Sequence, residues 1–211
     1  MTTAPPGRTP KKHLSADVRR ERLVAAALRV MKRDGIAAAS TRAICAEAEM
    51  PHGAFHYCFR SKQELYAALL ATDINIDLDA AWGTVTPDTD PAATLRALLR
   101  TYWEAVEADP EAQLVLSELI NLALREPELH DLPGWEHRAY LDKTVAYLER
   151  FAQEADLEYT VAPSVFAQML IECFSGVISA WLAHRDDAAA RTSLDHFADL
   201  FAGLTRPRTR S

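Results

Sequence analysis

Residues 40–65 read STRAICAEAEMPHGAFHYCFRSKQEL, and two short apolar patterns with a break between them decide the fold. Ile44, Cys45 and Ala48 stand at i, i+1 and i+4, one apolar side of a short helix, and Ser40 or Thr41 is suited to cap it. Glu49-Met50-Pro51 ends that helix, because proline disfavours helical geometry in the residue before it and fits the first helical position after it. In the second short helix Phe55 and Phe59 lie at i and i+4 with Cys58 beside them, so one face points into a core. The opposite face carries His52, Gly53, Ala54, His56 and Tyr57. It is small, polar and aromatic and holds no acid, as a helix entering a major groove requires. Ser61-Lys62-Gln63-Glu64 then forms a capping box, so a new helix starts at position 61 or 62. The pattern is a helix-turn-helix running into a third, longer helix.

These residues resemble the DNA-binding signature of the tetracycline-repressor (TetR) family of bacterial transcriptional regulators. Thr41-Arg42, Ile44, Ala48, Gly53, Phe59, Ser61-Lys62 and Leu65 carry the likeness. With the preceding helix it spans residues 15 to 65. Two positions depart from the family pattern. Glu49 stands where the family has glycine in the turn, so a left-handed backbone there costs energy. His56 stands where the family has a tyrosine that touches phosphate. The resemblance implies that the helix after residue 61 links a DNA-binding head to a regulatory body, and that the last two long helices pair with their copies in a second subunit.

Charge supports the same division. The 211 residues carry a net charge of −7, which evenly spread would argue against nucleic acid. Residues 1–62 instead hold 12 Lys and Arg against 5 Asp and Glu, a net +7, and residues 63–211 hold 11 against 25, a net −14. A basic end on an acidic body directs that end toward phosphate. Composition is that of an ordinary globular protein, 49% apolar and 25% charged. Cys45, Cys58 and Cys173 are odd in number, lack framework spacing and sit in apolar helical contexts, so reduced buried thiols in a cytoplasmic protein are expected, a bacterial one by the resemblance. The first 14 residues have no signal-peptide pattern and read as a disordered basic arm.

Helix one is expected from Ser15 to Asp34, with Val24, Ala27, Leu28 and Met31 buried and Gly35 ending it. The helix from Ser61 continues to about Ala81. Asp73, Asn75 and Asp77 mimic a calcium loop, but Leu78 occupies the glycine position and Thr84 the glutamate position, so no calcium is expected. Gly83 to Asp90 reads as a loop. Asp90-Pro91 and Asp109-Pro110 each place a cap before a proline at the first helical position. The helix from about Glu111 to Arg125 is apolar nearly all round and belongs in the middle of a bundle, and Ser164 to His184 is a second such helix, buried or at an interface and not spanning a membrane. Between them, Pro127 to Gly134 is a loop and Trp135 to Ala155 an amphipathic helix. The last helix runs from about Asp187 to Leu204.

The expected fold is therefore all-α: a three-helix helix-turn-helix head and a C-terminal helical-bundle regulatory and dimerisation domain, about nine helices in all. Its parts are an arm (1–14), the head (15–61), the ligand-binding and dimerisation domain (62–204) and a basic tail (205–211). The expected function is a sequence-specific, dimeric repressor on a palindromic duplex, released by a small apolar or amphipathic effector. A helical-bundle enzyme or an interaction module without DNA readout is the alternative. No phosphate-cradling loop, nucleophile elbow or HExxH motif favours the enzyme. No cofactor or metal is expected; His52, His56 and Cys58 project to different sides of their helix.

The residues assigned to DNA are Thr41, Arg42, His52, Gly53, Ala54, His56, Tyr57 and Lys62. Arg42 can grip a guanine edge or a phosphate, and Thr41 and Lys62 sit at helix starts suited to phosphate. Glu118, Asn121, Gln168 and Glu172 are polar groups on the two most apolar helices, unfavourable to bury without partners. They line an effector pocket walled by Trp103, Tyr140 and Tyr147, or else mark an exposed edge or a polar seam between subunits. Gly176 and Ala180, small at i and i+4, with Leu194, Phe197 and Phe201 on the last helix, are the expected dimer contacts.

Overall fold

The computed structural model describes residues 15–74, 85, 86 and 89–208. The expectations for the arm, the helix beyond residue 74, most of the calcium-loop mimic and half of the Gly83 to Asp90 loop lie outside them. Among the described residues the fold is all-α with nine helices and one two-stranded ribbon. The chain divides into two compact units between Lys62 and Gln63.

In the first unit α1 (Ala16–Asp34) opens on Ser15, whose hydroxyl accepts from the Val18 amide at 3.2 Å, and closes on Gly35 at φ +83°. Its buried side is Leu23, Val24, Ala26, Ala27, Val30 and Met31, so the stripe sits slightly round from the one expected and leaves Leu28 half-buried. Ser40, not Thr41, caps α2 (Thr41–Glu47), accepting from Ala43. The turn passes through Glu49 at φ +55°, the left-handed conformation that favours glycine. Then α3 (Gly53–Cys58) follows, and α4 (Lys62–Ile74) starts at the last residue of this unit. Both α2 and α3 pack on α1, with Ile44, Phe55 and Phe59 almost wholly buried.

The second unit is built from α5 (Pro91–Ala108), α6 (Pro110–Ala123), α7 (Asp131–Glu154), α8 (Pro163–His184) and α9 (Asp187–Ala202). Asp90, Asp109 and Asp186 cap α5, α6 and α9 with their carboxylates, and proline holds the first position of α5, α6 and α8. One core gathers Leu95, Leu99, Leu148, Phe151, Phe166 and Phe201; another gathers Trp103, Val106, Trp181, Ala190 and Leu194. Along the seam of α5 and α9, Arg96 pairs with Asp199, Arg100 with Asp195 at 2.7 Å, and Arg191 with Glu107.

Helix α8, expected to be buried or at an interface, is buried on one side, with 22% of its most apolar stretch covered. Three other expectations are corrected. Helix α7 begins at Asp131 and absorbs Pro133 and Gly134, because proline in a first turn removes an amide that has no helical partner anyway. Helix α6 is not central: Leu114 is 44% exposed, and its cap residue Leu124 68%. Residues 205–207 do not leave as a tail. They form β2 (Thr205–Pro207), antiparallel to β1 (Leu157–Tyr159), with Arg206 Nε 2.7 Å from Glu158. Three residues are too few to show a period-two pattern, and the partner lies nearly fifty residues upstream.

Candidate nucleic-acid interface and ligand cavity

In the first unit the side of α3 away from Phe55 and Phe59 is open. His52, Gly53, His56 and Tyr57 are exposed, Tyr57 at 74%, and Ala54 is half-buried. The His52 and His56 rings meet edge to face at 5.9 Å. Gly53 has an ordinary backbone conformation, and a Cβ added there would meet no atom within 4 Å. Neither the turn nor the packing needs glycine, so its bareness faces outward. Arg42 and Lys62 are exposed and make no ion pair among the described residues, and Thr41 is half-buried at the head of α2. The eight residues assigned to DNA thus lie in the turn-flanking helix starts and on the outer face of α3.

The structure adds groups that hold this face. Arg20 Nη1 donates to the Cys58 carbonyl at 2.8 Å at the end of α3, with its guanidinium carbon 4.2 Å from the Phe59 ring centroid. Arg19 lies 5.4 Å from the Tyr57 ring centroid. The Cys45 thiol donates to the His52 carbonyl at 3.4 Å across the turn. Arg29 and Arg33 donate to the two carboxylate oxygens of Glu47 at 2.8 and 3.0 Å, tying α2 to α1. Those hydrogen bonds hold the Glu47 carboxyl below its ordinary value. Sequence reading saw a crowded basic side on α1 and could not tell which arginines were engaged, because their partners lie 14 to 38 residues away.

The second unit contains a cavity of about 750 Å³. Leu95, Leu98, Leu99 and Tyr102 of α5 and Leu170, Ile171, Phe174 and Ile178 of α8 supply apolar walls. Gln113, Ser117 and Asn121 form a polar line at i, i+4, i+8 on α6. Glu136, His137, Tyr140, Lys143, Thr144 and Tyr147 form a polar and aromatic face of α7. Asn121, Tyr140 and Tyr147 thus line the cavity as expected of a pocket, and the other four candidates do not. Trp103 follows the lining Tyr102 by about 100° of helical turn and is buried edge-on against Trp181, ring centroids 5.1 Å apart. Glu118 follows Ser117 by the same step and is exposed. Gln168 and Glu172 lie on the open side of α8, where Gln168 Nε2 donates to Glu172 at 2.9 Å. Gln113, Ser117, Glu136 and Lys143 were missed, although the first two share Asn121's four-residue spacing.

The expected dimer contacts divide likewise. Gly176 and Ala180 are exposed and line a shallow groove, Phe197 is half-buried, and Leu194 and Phe201 are buried in the subunit's own core. Leu194 and Phe201 therefore cannot be contact surface; the large apolar side chains exposed on these helices are Val165, Met169 and Leu200. Of the three thiols expected to be buried, Cys45 is, while Cys58 and Cys173 are half-buried; partial burial still pushes the Cys173 thiol up to about 12, away from its thiolate form. Among the described residues no cluster of His, Cys, Asp and Glu is arranged to hold a metal.

Residues 23–69 match the family model of bacterial regulatory proteins of the tetR family. The chain is 28% identical over 183 residues to the HTH-type nicotine-responsive transcriptional repressor HdnoR of Paenarthrobacter nicotinovorans, covering 87% of this chain and 93% of that one. It shares its fold with a TetR-family transcriptional regulator structure from Mesorhizobium loti (TM-score 0.71, 17% identity, 92% and 99% of the two chains). It shares it also with the regulator FadR of Bacillus subtilis, solved with stearoyl-CoA (TM-score 0.66, 13% identity, 86% and 97%). The open, acid-free α3 stands inside the matched segment, and together these likenesses support a DNA-binding transcriptional regulator similar to those of the TetR family.

Proposed function

We propose that this chain is a cytoplasmic, homodimeric repressor that holds a palindromic operator through α3 and releases it when a small apolar or amphipathic molecule fills the cavity of the second unit. The observation that carries the reading is the outer face of α3, exposed and free of acid above a buried Phe55–Phe59 core. Arg42 and Lys62 add exposed cations for phosphate or guanine, and Thr41 a hydroxyl. One helix of six residues makes few contacts, so two-fold symmetry, with half-sites about 34 Å apart or a multiple of that, is needed to make them sufficient. Exposed Val165, Met169 and Leu200 beside small Gly176 and Ala180 support α8 and α9 as the surface that meets a second copy. The mostly apolar cavity with a few polar groups supports an effector, and the similarity to a nicotine-responsive repressor is consistent with one.

The test is selection of duplexes from a random pool, followed by titration at several salt concentrations. The expected result is one inverted-repeat motif, an affinity that falls steeply with salt, and a complex containing an even number of chains. Retention of all sequences alike, or binding insensitive to salt, contradicts the reading.

A further inference from the structure

Helix α3 is six residues long, too short to be stable or to keep a fixed direction by itself, so what aims it lies outside it. No side chain caps its start. There the His52 carbonyl accepts from the Cys45 thiol at 3.4 Å, and a thiol is a weak donor. Its end is held more firmly. The last carbonyls of a helix find no partner within it, and the Cys58 carbonyl accepts from Arg20 Nη1 at 2.8 Å, across 38 residues of sequence. The guanidinium carbon of the same side chain lies 4.2 Å from the centroid of the Phe59 ring, which is 1% exposed. One flat cation thus meets a helix-end carbonyl with its edge and a core ring with its face, a pairing that a lysine ammonium does not reproduce. Arg20 belongs to α1, nineteen residues long and buried along one side, so the bond ties the end of α3 to the longest helix of the head.

Tyr57 and His56, exposed on the outer face, stand one and two residues before the held carbonyl. A recognition constellation must be held to within about 0.5 Å of its productive geometry. The attraction of a basic surface for phosphate instead decays over about 10 Å at ordinary salt. Loosening this end of α3 should therefore cost sequence readout far more than general affinity for a duplex.

Resting on the reading that α3 holds an operator, we infer that Arg20 is a positioning residue for sequence recognition: through the Cys58 carbonyl and the Phe59 ring it sets the angle at which α3 enters the groove.

Anisotropy titrations of the full-length chain test it, with the inverted-repeat duplex recovered by selection and with a scrambled duplex of the same length. They are run at several salt concentrations and well below the melting midpoint of each variant. The ratio of the two affinities is expected to fall by about tenfold or more in Arg20→Met, and by about threefold or more in Arg20→Lys, which keeps the charge but not the flat group. Affinity for the scrambled duplex should stay within about threefold of wild type in both, with an unchanged salt slope. A residue that only stabilised the head would lower the melting midpoint and leave the ratio as it was. A salt slope smaller by about one in Arg20→Met, with both affinities falling in proportion, would make Arg20 a phosphate contact and overturns the inference. A wild-type ratio in Arg20→Lys overturns it too, and that variant decides alone should Arg20→Met not fold. A ratio near one in the wild type removes the operator reading itself, whereas a high ratio that both variants keep removes only the role of Arg20.

Discussion

Gly53 and His56 carry the most direct consequences of the open α3 face. Because nothing within 4 Å would meet a side chain at position 53, Gly53→Leu should fold with an unchanged or higher thermal midpoint, since glycine is the poorer helix former. Operator affinity should fall by about tenfold or more, because the added side chain occupies the space the duplex needs, a difference readable by anisotropy. An affinity unchanged by this bulk would remove α3 from the interface. His56 stands exposed with His52 as its ring neighbour. An imidazole N–H can donate to a phosphate oxygen, so His56→Ala should lower operator affinity at fixed pH and salt. Equal affinity in the two proteins would show that this ring does not meet phosphate. Both positions could be read from sequence, since a two-sided pattern of aromatics against small polar residues needs no partner to be interpreted. The engagement of Arg20 with the Cys58 carbonyl could not be, because nothing local distinguishes it from the other arginines of α1.

The tie between α1 and α2 is a single carboxylate held by two guanidinium groups, Glu47 between Arg29 and Arg33. Its hydrogen bonds depress the folded-state value, so the stabilisation is present above the ordinary carboxylate value and disappears as pH falls through the depressed one. Glu47→Gln should therefore lower the melting midpoint of the head at pH 7, by an amount that shrinks as the pH is taken down below the ordinary carboxylate range, as followed by circular dichroism. A pH-independent difference would mean that the side chain acts by packing alone. Helix boundaries were readable where chemistry marks them, as at Ser15, Asp90-Pro91, Asp109-Pro110 and Asp186. They were not readable at Asp131, where a proline in the first turn looks the same as one in a loop, nor at β2, whose partner strand lies far upstream. The polar faces of α6 and α7 were half readable. Asn121, Tyr140 and Tyr147 were identified, but the phase that excludes Trp103 and Glu118 depends on which neighbours each helix meets.

The proposed pairing of two copies through α8 and α9 can be tested away from both DNA and ligand. Ala180→Arg places a long cation on the exposed small-residue side of α8, where a close partner helix would have no room for it. Light scattering should then report about half the wild-type mass, and operator affinity should fall by at least about tenfold, because one recognition helix loses its twin. A wild-type mass would place the contact elsewhere. The division into a basic and an acidic unit was readable from charge alone; which side of each body helix remains open was not, because α6 and α8 are apolar on both sides. The three thiols are distributed across that division: Cys45, 1% exposed, and Cys58 lie before Lys62, and Cys173 after it. Cys45 is a slow clock. A maleimide can reach it only when the turn between α2 and α3 opens, so its alkylation rate gives the opening free energy of the first unit. Operator should slow that clock, so binding could be recorded in a mass spectrum without a label on the DNA.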